Sequence, residues 1–177
     1  MMKTKELTYG ALCTAMMAAC SWITIPTATA PFTMQTFAVF FTLFFLGGKD
    51  GTRSVLAYLL LGAMGAPVFA GFTGGLGILL GSTGGYLIGF LGIAMLYWMA
   101  KPKGEIMSVA VMILGLCLCY LFGTVQFVLL YSANNQGIGL LTGFSWCVLP
   151  YIIPDLLKMA LAQQLAVRLK PHFKIED

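Results

Sequence analysis

Long stretches without a charged side chain constrain this chain more than any other feature. Residues 7–48, 54–100 and 106–154 contain no Lys, Arg, Asp or Glu. Of all 177 residues, 59% are hydrophobic and 9% are charged, whereas about 25% are charged in a typical soluble protein. A soluble fold of this size could not bury so much apolar surface, so the solvent must be lipid. Collagen-like, disordered and nucleic-acid-binding classes are excluded as well.

Charged residues and Gly/Pro clusters divide the chain into six candidate membrane spans. These cover roughly 7–25, 32–47, 52–66, 82–100, 106–131 and 147–168. The second and third are short, about 22 Å each against a hydrocarbon core of about 30 Å, but the polar turn from Gly47 to Arg53 separates them. We therefore predict an all-α integral membrane protein, in which residues 1–177 form one domain of six transmembrane helices.

The first span could also be a signal peptide. Lys3 and Lys5 precede the apolar stretch, and Ala28-Thr29-Ala30 resembles a small-residue cleavage site. Pro31 follows this site directly and is a poor context for cleavage. We therefore expect the first helix to be retained.

Basic residues fall almost entirely on one side of the six spans. With an even number of spans both termini share a side, and that side holds nine of the ten Lys and Arg residues: Lys3, Lys5, Lys49, Arg53, Lys101, Lys103, Arg168, Lys170 and Lys174. The opposite connections, roughly 23–34, 67–82 and 131–146, carry no charge. The positive-inside rule therefore predicts cytoplasmic termini. The net charge of +4 then reports topology and not a nucleic-acid partner.

No pattern in the sequence indicates catalysis, a metal or a cofactor. The five cysteines are odd in number and lie in apolar surroundings, which argues against a disulfide framework. Cys117 and Cys119, two apart, should point to different faces of a helix. The single histidine, His172, has no plausible metal partner, and the glycines near Gly75 lack a phosphate-binding lysine. We expect a protein that is not an enzyme.

Two charged residues remain inside the sixth span, Asp155 and Lys158. Their spacing of three places them on one helical face, with Lys158 about 15 Å above Arg168. Each charge at this depth costs at least about 2.5–3.5 kcal/mol, so both must face protein or water. One interpretation is a structural ion pair. The other is a ligand site, which Pro150 and Pro154 favour because proline disrupts the helix and frees backbone carbonyls. A proton relay would need further acids or histidines nearby.

A glycine-rich outer connection supplies more of a candidate pocket. Short or glycine-interrupted segments mark binding sites in transporters, although close helix packing explains some of the glycines between 71 and 85. One amide and several aromatic rings lie nearby in the predicted topology, namely Gln35, Tyr58, Phe69, Tyr86 and Trp146. An aromatic belt at the outer interface would also explain about half of these residues. These residues indicate a small apolar pocket that opens outward, with an acid and an amine at its floor. A cyclic urea fits, because its N–H donors suit a carboxylate and its C=O suits an ammonium.

Small residues recur every four positions on the first helix. Ala11, Ala15 and Ala19 form this row, with Thr14 and Ala18 alongside. Such a row lets another helix pack closely. Alanine is also common in membrane helices that have no such partner.

Five short motifs occur in order between about Leu7 and Leu169. They are Pro31–Thr36, Leu46–Gly51, Gly62–Phe69, Gly81–Phe90 and Pro154–Lys158. As a set they resemble the BioY family, the biotin-specific substrate-binding (S) components of energy-coupling factor (ECF) transporters. The resemblance implies a six-helix S-component-like bundle in a bacterial or archaeal cell membrane, with both termini inside.

The resemblance also implies a binding site and a function. The chain would capture biotin, as ligand and not cofactor, under the outer loops and deliver it across the membrane. Asp155 and Lys158 match the family's ligand-binding acid and lysine, and the loop from Phe69 to Gly75 and the Tyr86 region match the segments that enclose biotin. The predicted ligand-binding set is Asp155, Lys158, Gln35, Phe69, Gly71, Thr73, Gly75 and Tyr86.

Further expectations concern partners and the ligand's carboxylate. The family's AxxxA motif, which docks the transmembrane coupling protein EcfT, falls on Ala11 and Ala15, and separate paired ECF ATPases would supply energy. The valerate carboxylate of biotin finds no second cation, so we expect backbone N–H groups, Thr73, Thr83 or water to hold it, with Lys158 as the alternative. Two other functions stay open: an S component for another vitamin, or a membrane assembly protein with a structural ion pair.

Overall fold

The computed structural model shows a bundle of helices and describes residues 4–26, 31–134 and 137–173. The helices are α1 Thr4–Trp22, α2 Gln35–Ala63, α3 Leu76–Leu79, α4 Gly84–Ala100, α5 Glu105–Asn134, α6 Leu140–Cys147 and α7 Leu149–Phe173. Two short strands, β1 Thr24–Ile25 and β2 Phe32–Thr33, pair antiparallel between α1 and α2. Lys3, the cleavage-site candidate 28–30 and Lys174 lie outside the described residues.

The second and third predicted spans form one element, α2, with a sharp break. Gly47 has φ 76° and ψ −179° inside this helix, a conformation that favours glycine. A Cβ atom on Gly51 would lie 3.2 Å from Leu43 Cα, although eight residues span about 12 Å in a straight helix. The second half of α2 therefore packs back against the first. The predicted turn from Gly47 to Arg53 is reduced to a single glycine, because the residues after it are helical.

The sixth predicted span is preceded by a separate short helix. α6 and α7 are inclined by 44° to each other, and the break between them falls at Val148 (φ −121°, ψ −52°). The disruption predicted at Pro150 and Pro154 is therefore wrong in position, since both prolines are helical. Pro150 lies in the first turn of α7, where the N–H has no intrahelical partner. Pro154 still leaves the Pro150 carbonyl without its usual donor.

Each of the six predicted spans overlaps one helical segment, counting the halves of α2 separately. Among the described helices, α5 is long and apolar enough to cross a membrane over Glu105–Ala133, and α6 with α7 qualifies if the pair is one bent span. α4 is apolar but has 17 residues. That all six segments cross the membrane stays a prediction.

The core lies around α2, and α1, α4 and α7 pack against it. α4 and α5 pack closely against each other, because glycines remove the side chains between them. A Cβ atom on Gly85 would lie 2.7 Å from the Phe122 carbonyl oxygen, and one on Gly89 would lie 2.6 Å from Cys119 Sγ. The outer surface carries many exposed apolar side chains, among them Leu12, Ile106, Leu129, Ile153 and Leu161, as a lipid-facing surface requires.

Candidate ligand-binding site

A cavity of about 300 Å³ lies at the end of the bundle that holds the uncharged connections. Its volume is at the lower end of the range for small-molecule sites. The polar residues that line it are Thr33, Gln35, Thr36, Thr73, Thr83, Tyr86, Tyr120, Tyr151, Asp155 and Lys158. The other lining residues are Pro31, Phe69, Ala70, Ile78, Leu87, Phe90, Leu116, Cys119 and Cys147.

Six of the eight predicted site residues meet at this cavity: Asp155, Lys158, Gln35, Phe69, Thr73 and Tyr86. The structure does not bring Gly71 and Gly75 to it. Both adopt positive φ, 69° and 103°, which lets the loop reverse direction. These two glycines therefore shape the loop that presents Phe69 and Thr73, and they do not line the cavity.

Asp155 and Lys158 form a buried ion pair on α7. Lys158 Nζ lies 2.9 Å from Asp155 Oδ1, and the two side chains are 7% and 5% exposed. The spacing of three residues in a helix brings the two side chains together. A carboxylate and an ammonium in apolar surroundings are tolerated here because each neutralises the other.

Lys158 uses all three of its N–H donors within the protein. Besides Asp155, it donates to the Thr33 carbonyl oxygen at 2.7 Å and to Thr36 Oγ1 at 3.2 Å. Its Nζ atom also lies 4.0 Å from the centroid of the Phe32 ring, a favourable cation–π geometry. Phe32 and Thr33 form strand β2 of the β1–β2 ribbon. The ribbon therefore provides two of the contacts of Lys158.

Asp155 accepts hydrogen bonds from three different helices. Thr36 Oγ1 on α2 donates to Oδ1 at 2.9 Å, and Tyr120 Oη on α5 donates to Oδ2 at 2.7 Å. Lys158 on α7 supplies the third. Sequence reasoning missed Thr36 and Tyr120 as partners of this carboxylate. Thr36 is the last residue of the motif Pro31–Thr36, whereas no feature of the sequence distinguished Tyr120.

The loop after α2 is held in place by a chain of hydrogen bonds from α1 to the cavity. The Val68 carbonyl accepts from Ser21 Oγ at 2.6 Å and from Tyr58 Oη at 2.8 Å. Gln35 Nε2 donates to Tyr58 Oη at 2.6 Å. Phe69 follows Val68 and packs edge-on against Tyr58, with ring centroids 5.5 Å apart. Tyr58 and Phe69 are thus fully buried and do not belong to an aromatic belt.

The opposite wall depends on Tyr86 and Gln126. The Tyr86 ring lies directly over Gly123 of α5, where a Cβ atom would overlap it. Gln126 Nε2 donates to the carbonyl oxygens of Leu79 and Gly81 at 3.1 and 2.8 Å. These contacts fix the turn between α3 and α4 above the cavity.

Other predicted residues lie away from the cavity or at its edge. Ala11, Ala15 and Ala19 are exposed on α1, whereas Thr14 and Ala18 are buried against the bundle. Trp146 is 41% exposed. The prediction for the cysteine pair is confirmed, since Cys117 is exposed and Cys119 is buried. Thr73 and Thr83 both line the cavity, and Lys158 is the one basic residue among its described lining residues.

A helical bundle with an apolar exterior and a buried charge pair in one small cavity defines a membrane-embedded substrate-binding protein. The family model described as "BioY family" matches residues 1–175. The chain belongs to the BioY family.

Relatives and a solved structure resemble the chain over nearly its whole length. "Biotin transporter BioY" of Thermotoga maritima is 39% identical, covering 94% of this chain and 96% of the relative. "Probable biotin transporter BioY" of Pyrococcus horikoshii is 36% identical, covering 96% and 98%. A crystal structure of the S-component for biotin from an ECF-type ABC transporter matches with a TM-score of 0.83 and 27% identity, covering 97% of this chain and 95% of its own. Transporters act in membranes, so this chain is a membrane protein.

Proposed function

We propose that this chain is the biotin-binding S component of an ECF-type vitamin uptake transporter. The observation that carries the proposal is the buried Asp155–Lys158 pair, which lines a cavity of small-molecule size. The names of the relatives, biotin transporters, identify a ligand with a cyclic urea. We assign no catalytic role to the chain, in keeping with relatives that are named as transporters.

The contacts of the pair favour a urea as ligand. Asp155 Oδ2 accepts one hydrogen bond and has a second acceptor position, which a urea N–H can occupy. The longest of the three Lys158 hydrogen bonds, 3.2 Å to Thr36, is the one that a urea oxygen can replace. The apolar walls formed by Leu87, Phe90 and Leu116 suit the fused sulfur ring.

The carboxylate of biotin would lie towards the mouth of the cavity. No second cation lines the described part of the cavity, and Lys158 is already engaged with Asp155. Thr83 lines the cavity and, with water, can donate to a carboxylate. Thr73 also lines it and can donate if its hydroxyl leaves the Ala70 carbonyl oxygen, to which it donates at 2.9 Å. This arrangement keeps the carboxylate close to bulk water, where its desolvation costs least.

The charge distribution supports an orientation with cytoplasmic termini. The connections beside the cavity are uncharged, and every described basic residue except Lys158 lies towards the other end of the bundle. With six spans, the positive-inside rule directs the cavity outward. Biotin would then enter from outside, and delivery across the membrane would require the coupling protein EcfT and the paired ECF ATPases.

Titration of the purified, detergent-solubilised chain with biotin, followed by Trp fluorescence and calorimetry, tests this function. We expect saturable one-to-one binding, and we expect Asp155→Asn to weaken it at least tenfold, as loss of a charged hydrogen-bond partner should. Asp50→Asn is the matched control, because Asp50 pairs with Arg53 on α2 at a partly exposed position and does not line the cavity.

The outcomes separate the alternatives. Binding of a different vitamin in place of biotin would identify an S component of another specificity. If the chain binds no vitamin after removal of co-purified ligand, the ion pair has a structural role, as expected for a membrane assembly protein. Unchanged biotin affinity in Asp155→Asn would overturn the assignment of the site.

A further inference from the structure

We propose that Tyr120 is a positioning and specificity residue, whose hydroxyl directs Asp155 towards a single N–H donor of the ligand. The inference rests on the proposed function, because it concerns the same cavity. Tyr120 Oη donates to Asp155 Oδ2 at 2.7 Å, and both residues line the cavity. A hydrogen bond to an ionised acceptor at this distance is among the stronger ones in proteins.

The Tyr120–Asp155 hydrogen bond connects α5 and α7 across the cavity. Each of these two helices packs mainly on other helices. α5 packs on α4 and α6, whereas α7 packs on α2 and α6. The carboxylate of Asp155 is thus held from both sides of the cavity floor, by Thr36 of α2 on one side and by Tyr120 of α5 on the other. Its orientation does not depend on α7 alone.

A count of acceptor positions shows what this arrangement leaves for a ligand. An ionised carboxylate offers about four positions. Thr36 and Lys158 occupy two at Oδ1, and Tyr120 occupies one at Oδ2. Among the described residues, no further group donates to Oδ2. One acceptor position of fixed direction therefore remains at the cavity floor.

An acceptor position of fixed direction at Asp155 Oδ2 selects for ligands that carry an N–H donor at the matching position. A buried hydrogen-bonding site rejects analogues that lack the matching group, because its polar atom is then left unpaired. Without the Tyr120 hydroxyl, Oδ2 has two open positions and the carboxylate can rotate or take up water. Tyr120→Phe should therefore weaken binding of urea ligands and also reduce the discrimination against analogues that lack the donor.

The experiment compares four ligands on the purified full chain by calorimetry. The ligands are biotin, desthiobiotin, which keeps the urea but lacks the sulfur, and biotin methylated on either urea nitrogen. We expect Tyr120→Phe to weaken biotin and desthiobiotin about tenfold. It should affect the poorer methylated ligand much less, so that the selectivity ratio falls. Tyr9→Phe is the control, because Tyr9 packs against Phe45 and Phe173 away from the cavity.

A double-mutant cycle supplies an independent measurement. In an Asp155→Asn background, Tyr120→Phe should change the remaining affinity less than twofold, since its partner is already altered. Tyr120→His retains a ring N–H donor and should therefore keep more selectivity than Tyr120→Phe. It also replaces Tyr120→Phe as the test variant if Tyr120→Phe does not fold.

Two results would overturn the inference while leaving the proposed function intact. These are an unchanged selectivity ratio, as an equal loss for all four ligands would give, or equal selectivity in the His and Phe variants. Failure of the unmodified chain to bind biotin would instead overturn the proposed function itself.

Discussion

The buried ion pair sets how the site responds to substitution of a single residue. Asp155 and Lys158 are almost fully buried, so removal of one charge leaves the other without compensation. We expect Lys158→Met to lower the free energy of unfolding by about 3–5 kcal/mol, measured as thermal unfolding in detergent. Adding Asp155→Leu should restore much of this stability, because two apolar side chains replace the pair, while biotin binding stays lost.

Lys49→Met is the control for this prediction, because Lys49 is exposed on α2. Stability in the control should change by less than about 0.5 kcal/mol. Retained biotin binding in the Asp155→Leu/Lys158→Met double variant would show that the pair serves only the fold. The comparison thus separates the cost of an unpaired charge from the loss of a ligand contact.

The sequence revealed the two charges of the site but not all of their partners. Asp155 and Lys158 were identifiable because a charge within an apolar stretch has few explanations. Thr36 and Tyr120 were not, because hydroxyl side chains are common in membrane helices and their hydrogen bonds depend on how distant segments pack. Tyr120 is 35 residues from Asp155 in the chain and 2.7 Å from it in space.

Among the helices, the close contact between α4 and α5 determines the shape of the cavity. Gly123 of α5 lies under the Tyr86 ring, and a Cβ atom there would overlap the ring. We expect Gly123→Ala to destabilise the protein by about 1–3 kcal/mol and to weaken biotin binding, since Tyr86 lines the cavity. Thermal unfolding and calorimetry measure the two effects.

Gly92→Ala provides the matched control within a helix. A Cβ atom on Gly92 meets nothing within 4 Å, so this substitution should be neutral or stabilise the protein by about 0.5–1 kcal/mol. Equal behaviour of Gly92→Ala and Gly123→Ala would contradict the proposed role of helix packing in shaping the cavity.

The positions of the helices and the break at Gly47 were predictable from the sequence, whereas the break at Val148 was not. Apolar stretches between charges gave six segments, and each overlaps a helical segment of the structure. The break at Gly47 is local, because one glycine with positive φ turns the chain. The second break falls at Val148, which is neither glycine nor proline. The sequence placed the disruption at Pro150 and Pro154, two and six residues further along the chain. Tertiary packing decides such positions.

At the scale of the whole molecule, α1 combines a contact with the cavity loop at its C-terminal end and an exposed row of alanines further back. Its C-terminal end holds the loop of the cavity, since Ser21 Oγ and Trp22 Nε1 donate to the carbonyl oxygens of Val68 and Pro67 at 2.6 and 2.9 Å. One and two turns earlier, Ala19 and Ala15 are exposed to the outside of the bundle. A partner that packs on this face would therefore touch the helix that positions the loop.

Ala15→Trp tests whether that face docks the coupling protein. The indole would project outward from an exposed position, so the cavity should be unaffected and biotin affinity should stay within about twofold, well below the tenfold that 1.4 kcal/mol represents. Biotin uptake by cells that also produce EcfT and the ECF ATPases should be lost, because a bulky side chain prevents close helix packing. Leu129→Trp, at an exposed position on α5, should preserve both binding and uptake. Normal uptake with Ala15→Trp would place docking on another face, and loss of binding would show that α1 supports the cavity instead.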